Sequence, residues 1–234
     1  MVITTKNNSE VEIIMDYYFL AKTPLFQNCS EKNIQEMAQH LDFQTVKYKK
    51  GNIIYKEGDI VTKIGLVLSG SVQIGHNDFW GNKSILNIVT AGGVFAEAYA
   101  CVPKEPLMIY VTANENCEIL FIPMPKLCTS YNICNLQNKL MQNLITICAQ
   151  KSLQLSKRSL HTAPKTIRGR LFSYFSQLIS EQGNNKITIP FDRQQLADYL
   201  NLDRSALSKE LGKMKKDGLI DYYKNIFEIK AVEN

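Results

Sequence analysis

Apolar positions change their spacing several times along this chain, and each change separates one kind of structure from the next. Between residues 10 and 41 the spacing is helical. Leu25-Phe26 closes a first segment and Ser30 opens a second, in which Ile34, Met37, Ala38 and Leu41 share one face. From residue 42 to 124 the apolar residues come in short runs punctuated by glycine. Examples are Gly51-Asn52-Ile53-Ile54-Tyr55, Ile64 to Ile74, Ser84 to Val89, Leu107 to Ala113 and Cys117 to Pro123. Many short strands at regular spacing predict a barrel or jelly roll. The helical period returns at Pro125 and holds to about Leu160. Ile133, Leu140 and Ile147 stand seven apart, and Leu136 and Leu144 fill the same seam, which suits pairing with a second helix. Met141, Ile145 and Cys148 form a neighbouring stripe, read here as the face against the barrel. His161-Thr162-Ala163-Pro164 breaks this helix and is a hinge candidate; Thr166 to Ile179 predicts a further helix.

The segment from Asp192 to Met214 carries the most chemistry. It predicts two short helices joined by a tight turn. Asp192 and Gln195 match a capping box. Asn201-Leu202-Asp203 makes the turn, and Asp203 caps the second helix. Leu207, Leu211 and Met214 give that helix a buried face, which leaves Arg204, Ser205, Ser208 and Lys209 together near its N-terminus. A helix-turn-helix offers the same end of its second helix to base edges in the major groove. Lys213, Lys215 and Lys216 close the helix and Gly218 stops it. Two short strands follow, LIDYY and IFEI, turning at Lys224-Asn225, and Lys186 to Ile189 predicts another just before the helix pair. A helix pair alone is a common αα-hairpin; the hairpin behind it makes a wing.

Charge sharpens the picture. The 234 residues carry a net +5. Residues 1–149 hold 12 Lys or Arg and 13 Asp or Glu, a net −1, whereas residues 150–234 hold 15 and 9, a net +6. The basic excess therefore accompanies the helix-turn-helix, where release of counterions from DNA would use it. No apolar run approaches the ~20 residues that span a bilayer, and the N-terminus lacks a basic segment followed by an apolar core. A cytoplasmic location with no membrane partner is expected. The six cysteines form no CxxC pair and no zinc spacing with the three histidines, so reduced thiols are expected and no metal site. The barrel region offers only His76, which argues against metal-dependent catalysis there and against an enzyme.

With those residues in view, the chain resembles the CRP/FNR family of bacterial transcription regulators over nearly its whole length. Two stretches carry the resemblance: KKGNIIYKEGDIVTKIGLVLSGSVQI at residues 49–74 and RQQLADYLNLDRSALSKELGKMKKDGLI at residues 193–220. It implies an α+β chain in three parts. Residues 1–124 would form N-terminal helices and a jelly-roll (double-stranded β-helix) sensor of the cyclic nucleotide-binding type. Residues 125–161 would form a long dimerisation helix, and residues 162–234 a winged helix-turn-helix. The implied partners are a second copy, double-stranded DNA bearing an inverted repeat with half-sites about 34 Å apart, RNA polymerase if the protein activates, and a small effector.

The resemblance also assigns residues. Arg204 matches a base-reading arginine and Lys209 a second basic contact; Ser208 and Lys213 lie on the same face. Ser205 stands where several members have glutamate, so the operator need not resemble theirs. Arg193, Gln194 and Gln195 occupy phosphate-contacting positions. In the barrel, Glu97 sits at the place of a ribose-binding glutamate. Leu107-Met108 sits where an Arg-Ser pair would hold the phosphate, and no arginine occurs before Arg158. A buried phosphate without a cation loses its charge-assisted bonds, so the expected effector is not a cyclic nucleotide. Phe95, Glu97, Leu107, Met108 and Tyr110 are the candidate pocket, and the effector and any cofactor are unknown. Two alternatives stay open: a dimer that binds DNA constitutively, its barrel sensing nothing, and a cysteine-based redox sensor.

Overall fold

The computed structural model of the chain describes residues 6–7, 10–11, 15–77, 80, 83–102, 104–129 and 134–230. It divides into two compact units, residues 1–149 and 150–234. The first begins with a short pairing of Lys6–Asn7 (β1) and Glu10–Val11 (β2). Glu10 and Val11 are thus extended, whereas helical spacing was read from residue 10. Helix α1 covers Tyr17–Ala21, a 3-10 turn covers Pro24–Phe26, and α2 covers Glu31–Leu41 with Ser30 as its cap.

Two four-stranded antiparallel sheets follow. One runs in the order β3 (Gln44–Tyr48), β10 (Cys117–Pro123), β5 (Lys63–Ser69), β8 (Val94–Phe95). The other runs β4 (Ile53–Tyr55), β9 (Tyr110–Ala113), β6 (Ser71–Asn77), β7 (Lys83–Thr90). A short helix, α3 (Glu97–Cys101), follows β8. Gly70 makes the switch from β5 to β6. Its φ is +72° and a Cβ there would lie 2.4 Å from the Asn116 carbonyl oxygen, so only glycine fits.

Strand β10 shows why its sequence reads as a continuous apolar run. Side chains alternate across a strand. Ile119 and Phe121 enter the core between the sheets with Val67, Val72, Phe95 and Val111. Leu120 and Ile122 point the other way, into a second core with Leu20, Leu25, Phe26, Ile34, Met37 and Leu41. Both faces are buried, so no polar alternation is needed.

Past the sheets come α4 (Met124–Thr129) and α5 (Cys134–Thr162). The described part of the expected dimerisation helix, residues 125–161, thus falls in α4 and α5, and the boundary between the compact units falls within α5 at Ala149. The hinge candidate is also tied down. His161 is buried in the second unit, its ring nitrogens bonded to Ser173 Oγ and Gln177 Oε1 and its ring in a T-shaped contact with Tyr174.

The second unit continues with α6 (Ile167–Gln182), α7 (Arg193–Tyr199) and α8 (Arg204–Lys216). They pack on a three-stranded sheet in the order β11 (Lys186–Thr188), β13 (Ile226–Ile229), β12 (Ile220–Tyr223). Leu171, Phe175, Leu196, Leu207, Leu211, Met214 and Phe227 form its centre.

Candidate nucleic-acid interface

Both helices of the pair are capped as their sequence predicts. The Asp192 carboxylate accepts from the Gln195 backbone N–H at 2.8 Å, and the Gln195 side chain accepts from the Asp192 N–H at 2.9 Å. Asp203 accepts from the Ala206 N–H at 2.9 Å and from the Ser205 hydroxyl, and these bonds hold its carboxyl below the usual range. Asn201 takes the left-handed conformation in the turn (φ +54°), and Gly218 does the same past α8 (φ +77°).

Arginines outside α8 fix how the pair sits. The last carbonyls of α7 have no partner within the helix. Arg158 donates to those of Asp198 and Tyr199, and Arg170 to those of Leu200 and Asn201 and to that of Pro164. Arg168, on α6, bridges Glu210 at 2.7 Å and Asp217 at 2.8 Å, so α8 is fastened at its middle and its end.

Burying Leu207, Leu211 and Met214 turns the opposite face of α8 to solvent. Arg204, Ser205, Ser208, Lys209, Lys213 and Lys216 are all exposed there. Among the described residues Arg204 makes no hydrogen bond or ion pair, whereas the other four arginines of the chain are engaged within the second unit. A guanidinium left free on an exposed face, beside lysines and hydroxyls, is equipped to contact base edges and phosphates.

Three expected phosphate contacts are otherwise engaged. Arg193 turns inward: it donates to the Lys224 carbonyl at 2.8 Å and stacks over Phe227 and Tyr222, and burial lowers its pKa. It fastens α7 to the turn of the wing because those rings offer it faces within reach. Gln195 completes the capping box, and Gln194 donates to Asp198 at 2.9 Å, the residue one helical turn on. The structure adds residues the sequence reading did not single out as contacts. Lys216 continues the Arg204-Ser208 stripe, as counting on by four would have shown. Tyr223 and Lys224 stand exposed at the wing tip, the lysine ammonium over the tyrosine ring.

Two family models match the chain in order, the cyclic nucleotide-binding domain at residues 45–128 and the Crp-like helix-turn-helix domain at residues 169–234. The chain belongs to the CRP/FNR family of transcription regulators. Among solved structures, this CRP/FNR protein is similar to the catabolite activator protein of Thermus thermophilus (19% identity, 89% of this chain and 94% of that one, TM-score 0.50). It is also similar to CprK in complex with OCPA (17% identity, 83% and 91%, TM-score 0.57). A third is the c-di-GMP-responsive global regulator CLP of Xanthomonas campestris (18% identity, 86% and 99%, TM-score 0.51). These likenesses show the shared fold. No curated protein sequence matches the chain. Among the described residues no helix is long and apolar enough to cross a membrane.

In the N-terminal unit of this CRP/FNR protein the candidate pocket residues are dispersed. Phe95 is fully buried, with its ring edge-on to Tyr55 and Phe121, over Gly65, where a Cβ would come within 2.3 Å of it. Leu107 is buried in the same core, whereas Met108 is 65% exposed and its carbonyl faces His76. Tyr110 lies against Gly75 and lines an open depression with Lys56, Glu57 and Asn77. Glu97 is buried at the start of α3, after Ala96 in the left-handed conformation. Phe95 and Leu107 are therefore core rather than lining, because adjacent residues at 107 and 108 face opposite ways. Burial also pushes the thiols of Cys29 and Cys117 above their ordinary range, which makes them poor nucleophiles.

Both stripes of α5 contribute to the chain's own core: Met141 and Cys148 pack against it, as expected of the barrel-facing side, and the expected seam is buried there as well. Leu140, Leu144 and Ile147 are buried in the chain's own core with α1, α2, β5 and β10, and Leu136 packs at its edge. Asn143, on the same side, donates to the Leu25 and Gln27 carbonyls. Ile145 is 62% exposed. Leu136, Leu140, Leu144 and Ile147 thus serve intramolecular packing, because the N-terminal helices and the outer face of β5 and β10 need the broader apolar stripe. Ile133, also assigned to the seam, lies outside the described residues.

Proposed function

We propose that this CRP/FNR-type regulator binds an inverted-repeat operator as a homodimer, each protomer reading one half-site with the exposed face of α8. The observation that carries the reading is that face: Arg204, without an internal partner among the described residues, stands with Ser205, Ser208, Lys209, Lys213 and Lys216 on a helix otherwise anchored by Arg168 and the core. The second copy packs on the other stripe of α5. Met141, Ile145, Cys148 and Leu155 repeat at spacings of four, three and seven along it; Ile145 and Leu155 are exposed, while Met141 and Cys148 form the edge that packs on the chain's own core.

The effector is proposed to be a molecule other than a cyclic nucleotide, since the sensor unit holds no arginine to pair with a phosphate. One observation favours a second reading, a dimer that binds constitutively. Phe95, Tyr55 and Phe121 fill the space between the sheets with their own rings.

Selection from a random double-stranded DNA pool with the purified full-length protein, no ligand added, tests both. An enriched inverted repeat supports the regulator reading. Affinity unchanged by cell metabolites would favour constitutive binding. A folded dimer that enriches nothing, with or without metabolites, would overturn the DNA reading. Arg204→Ala should cost ~1–3 kcal/mol and relax the base preference at one position per half-site.

A further inference from the structure

We infer that Ser205 meets the operator as a hydrogen-bond acceptor, held in that role by Asp203, and so selects a base that points an amino group at it: adenine through N6 or cytosine through N4. The inference rests on the DNA-binding reading above and names what one residue of that site reads.

A serine hydroxyl carries one proton and two lone pairs. Free to rotate, it serves as donor or acceptor and discriminates little between bases. Ser205 is not free in this way. Its Oγ lies 2.5 Å from Asp203 Oδ1. An ionised carboxylate has no proton to give, so the bond has one polarity, with Ser205 donating. The carboxylate is itself held: it caps α8 by accepting from the Ala206 N–H at 2.9 Å, with the Asp203 backbone extended. The Ser205 proton is thereby engaged, and its lone pairs, enriched by a charge-assisted bond, remain for an incoming group. Ser205 is exposed on the recognition face, so that group comes from outside the chain.

In the major groove thymine O4, guanine O6 and the purine N7 atoms are acceptors and would oppose the serine oxygen, whereas adenine N6 and cytosine N4 are donors. The expected preference at the Ser205 position groups adenine with cytosine on the contacted strand. The neighbouring Arg204 has donors only. Two adjacent residues therefore present opposite polarities, one suited to guanine and the other to an amino-bearing base.

The test uses the full-length protein and its selected operator, with single base analogues introduced position by position. Adenine is replaced by purine, which lacks the 6-amino group, or cytosine by 2-pyrimidinone, which lacks the 4-amino group. Separately, purines are replaced by their 7-deaza forms. At one position per half-site, amino-group deletion should weaken binding by wild type about three- to tenfold and leave Ser205→Ala binding unchanged. The 7-deaza forms should have no effect there in either protein. Asp203→Gly keeps a tolerated cap residue while removing the carboxylate, and should accept all four base pairs at that position within about twofold.

Equal losses in wild type and Ser205→Ala at every amino deletion would overturn the inference. So would a Ser205-dependent sensitivity that maps to N7. The analogue comparison needs only wild type and Ser205→Ala, so it decides the matter even where Asp203→Gly folds poorly. Failure to select any operator overturns the DNA reading itself, and this inference with it.

Discussion

Leu140→Ala and Ile145→Glu, five residues apart on α5, are expected to give opposite phenotypes. Leu140 is fully buried among residues of α1, α2 and the outer face of β5 and β10. Truncation to alanine removes three carbons, about 2.4 kcal/mol of transfer free energy at ~0.8 kcal/mol each, and the unfilled cavity brings the loss to about 3 kcal/mol. In a unit of 149 residues that lowers Tm by roughly 6–12 °C. Oligomeric state should not change. Ile145 is 62% exposed, so glutamate there should alter protomer stability by no more than about 0.5 kcal/mol. At a seam between two copies it places unpaired carboxylates in a desolvated interface, a loss of at least about 3 kcal/mol, or over a hundredfold in dimer Kd. Urea unfolding reads the first quantity and sedimentation equilibrium the second. The reasoning fails if Leu140→Ala gives monomers that unfold at the wild-type midpoint while Ile145→Glu sediments as a dimer.

Three further outcomes are expected. Arg193→Ala should destabilise the C-terminal unit by ~1–2 kcal/mol, through loss of the bond to the Lys224 carbonyl and the stacking on Phe227. It should leave the salt slope of DNA binding unchanged; a slope smaller by about 0.9 would restore Arg193 to the phosphate contacts. Gly212→Ala should raise the thermal midpoint of the C-terminal unit by roughly 4–8 °C. The position is helical with nothing within 4 Å of an added Cβ, and alanine gains about 1 kcal/mol there; a lower midpoint would refute that. The Asp203 carboxyl is held below its ordinary range by Ser205 and Ala206. Its capping contribution should be fully present above about pH 4 and lost as pH falls further, through its folded pKa. An Asp203→Asn variant should have a shallower acid limb in pH-dependent unfolding, and limbs that superimpose would remove Asp203 from the account.

Local rules made much of this protein legible from sequence. The capping box at Asp192 and Gln195, the Asp203 cap, the glycine after α8 and the strands of the wing depend on residues close together in the chain. The short glycine-punctuated strands of the N-terminal unit were legible for the same reason. So was the exposed face of α8, because burying Leu207, Leu211 and Met214 sets the direction of everything else on a helix. Tertiary structure decided the rest, and each instance involves partners distant in sequence. Two apolar stripes on α5 are equivalent to a periodicity argument; the one that meets Leu25, Phe26 and the outer face of β10 becomes core. Arg193 is a surface cation by sequence, and only the return of Phe227 and the Lys224 carbonyl beside it turns it inward. Glu10 lies within a helical pattern yet pairs with Asn7, and Phe95 is fully buried only because Tyr55, Phe121 and the bare Gly65 arrive around it. Charge, caps and periodicity are set by neighbours in sequence, while which of several apolar or charged groups is buried depends on surfaces that exist only once the chain has folded.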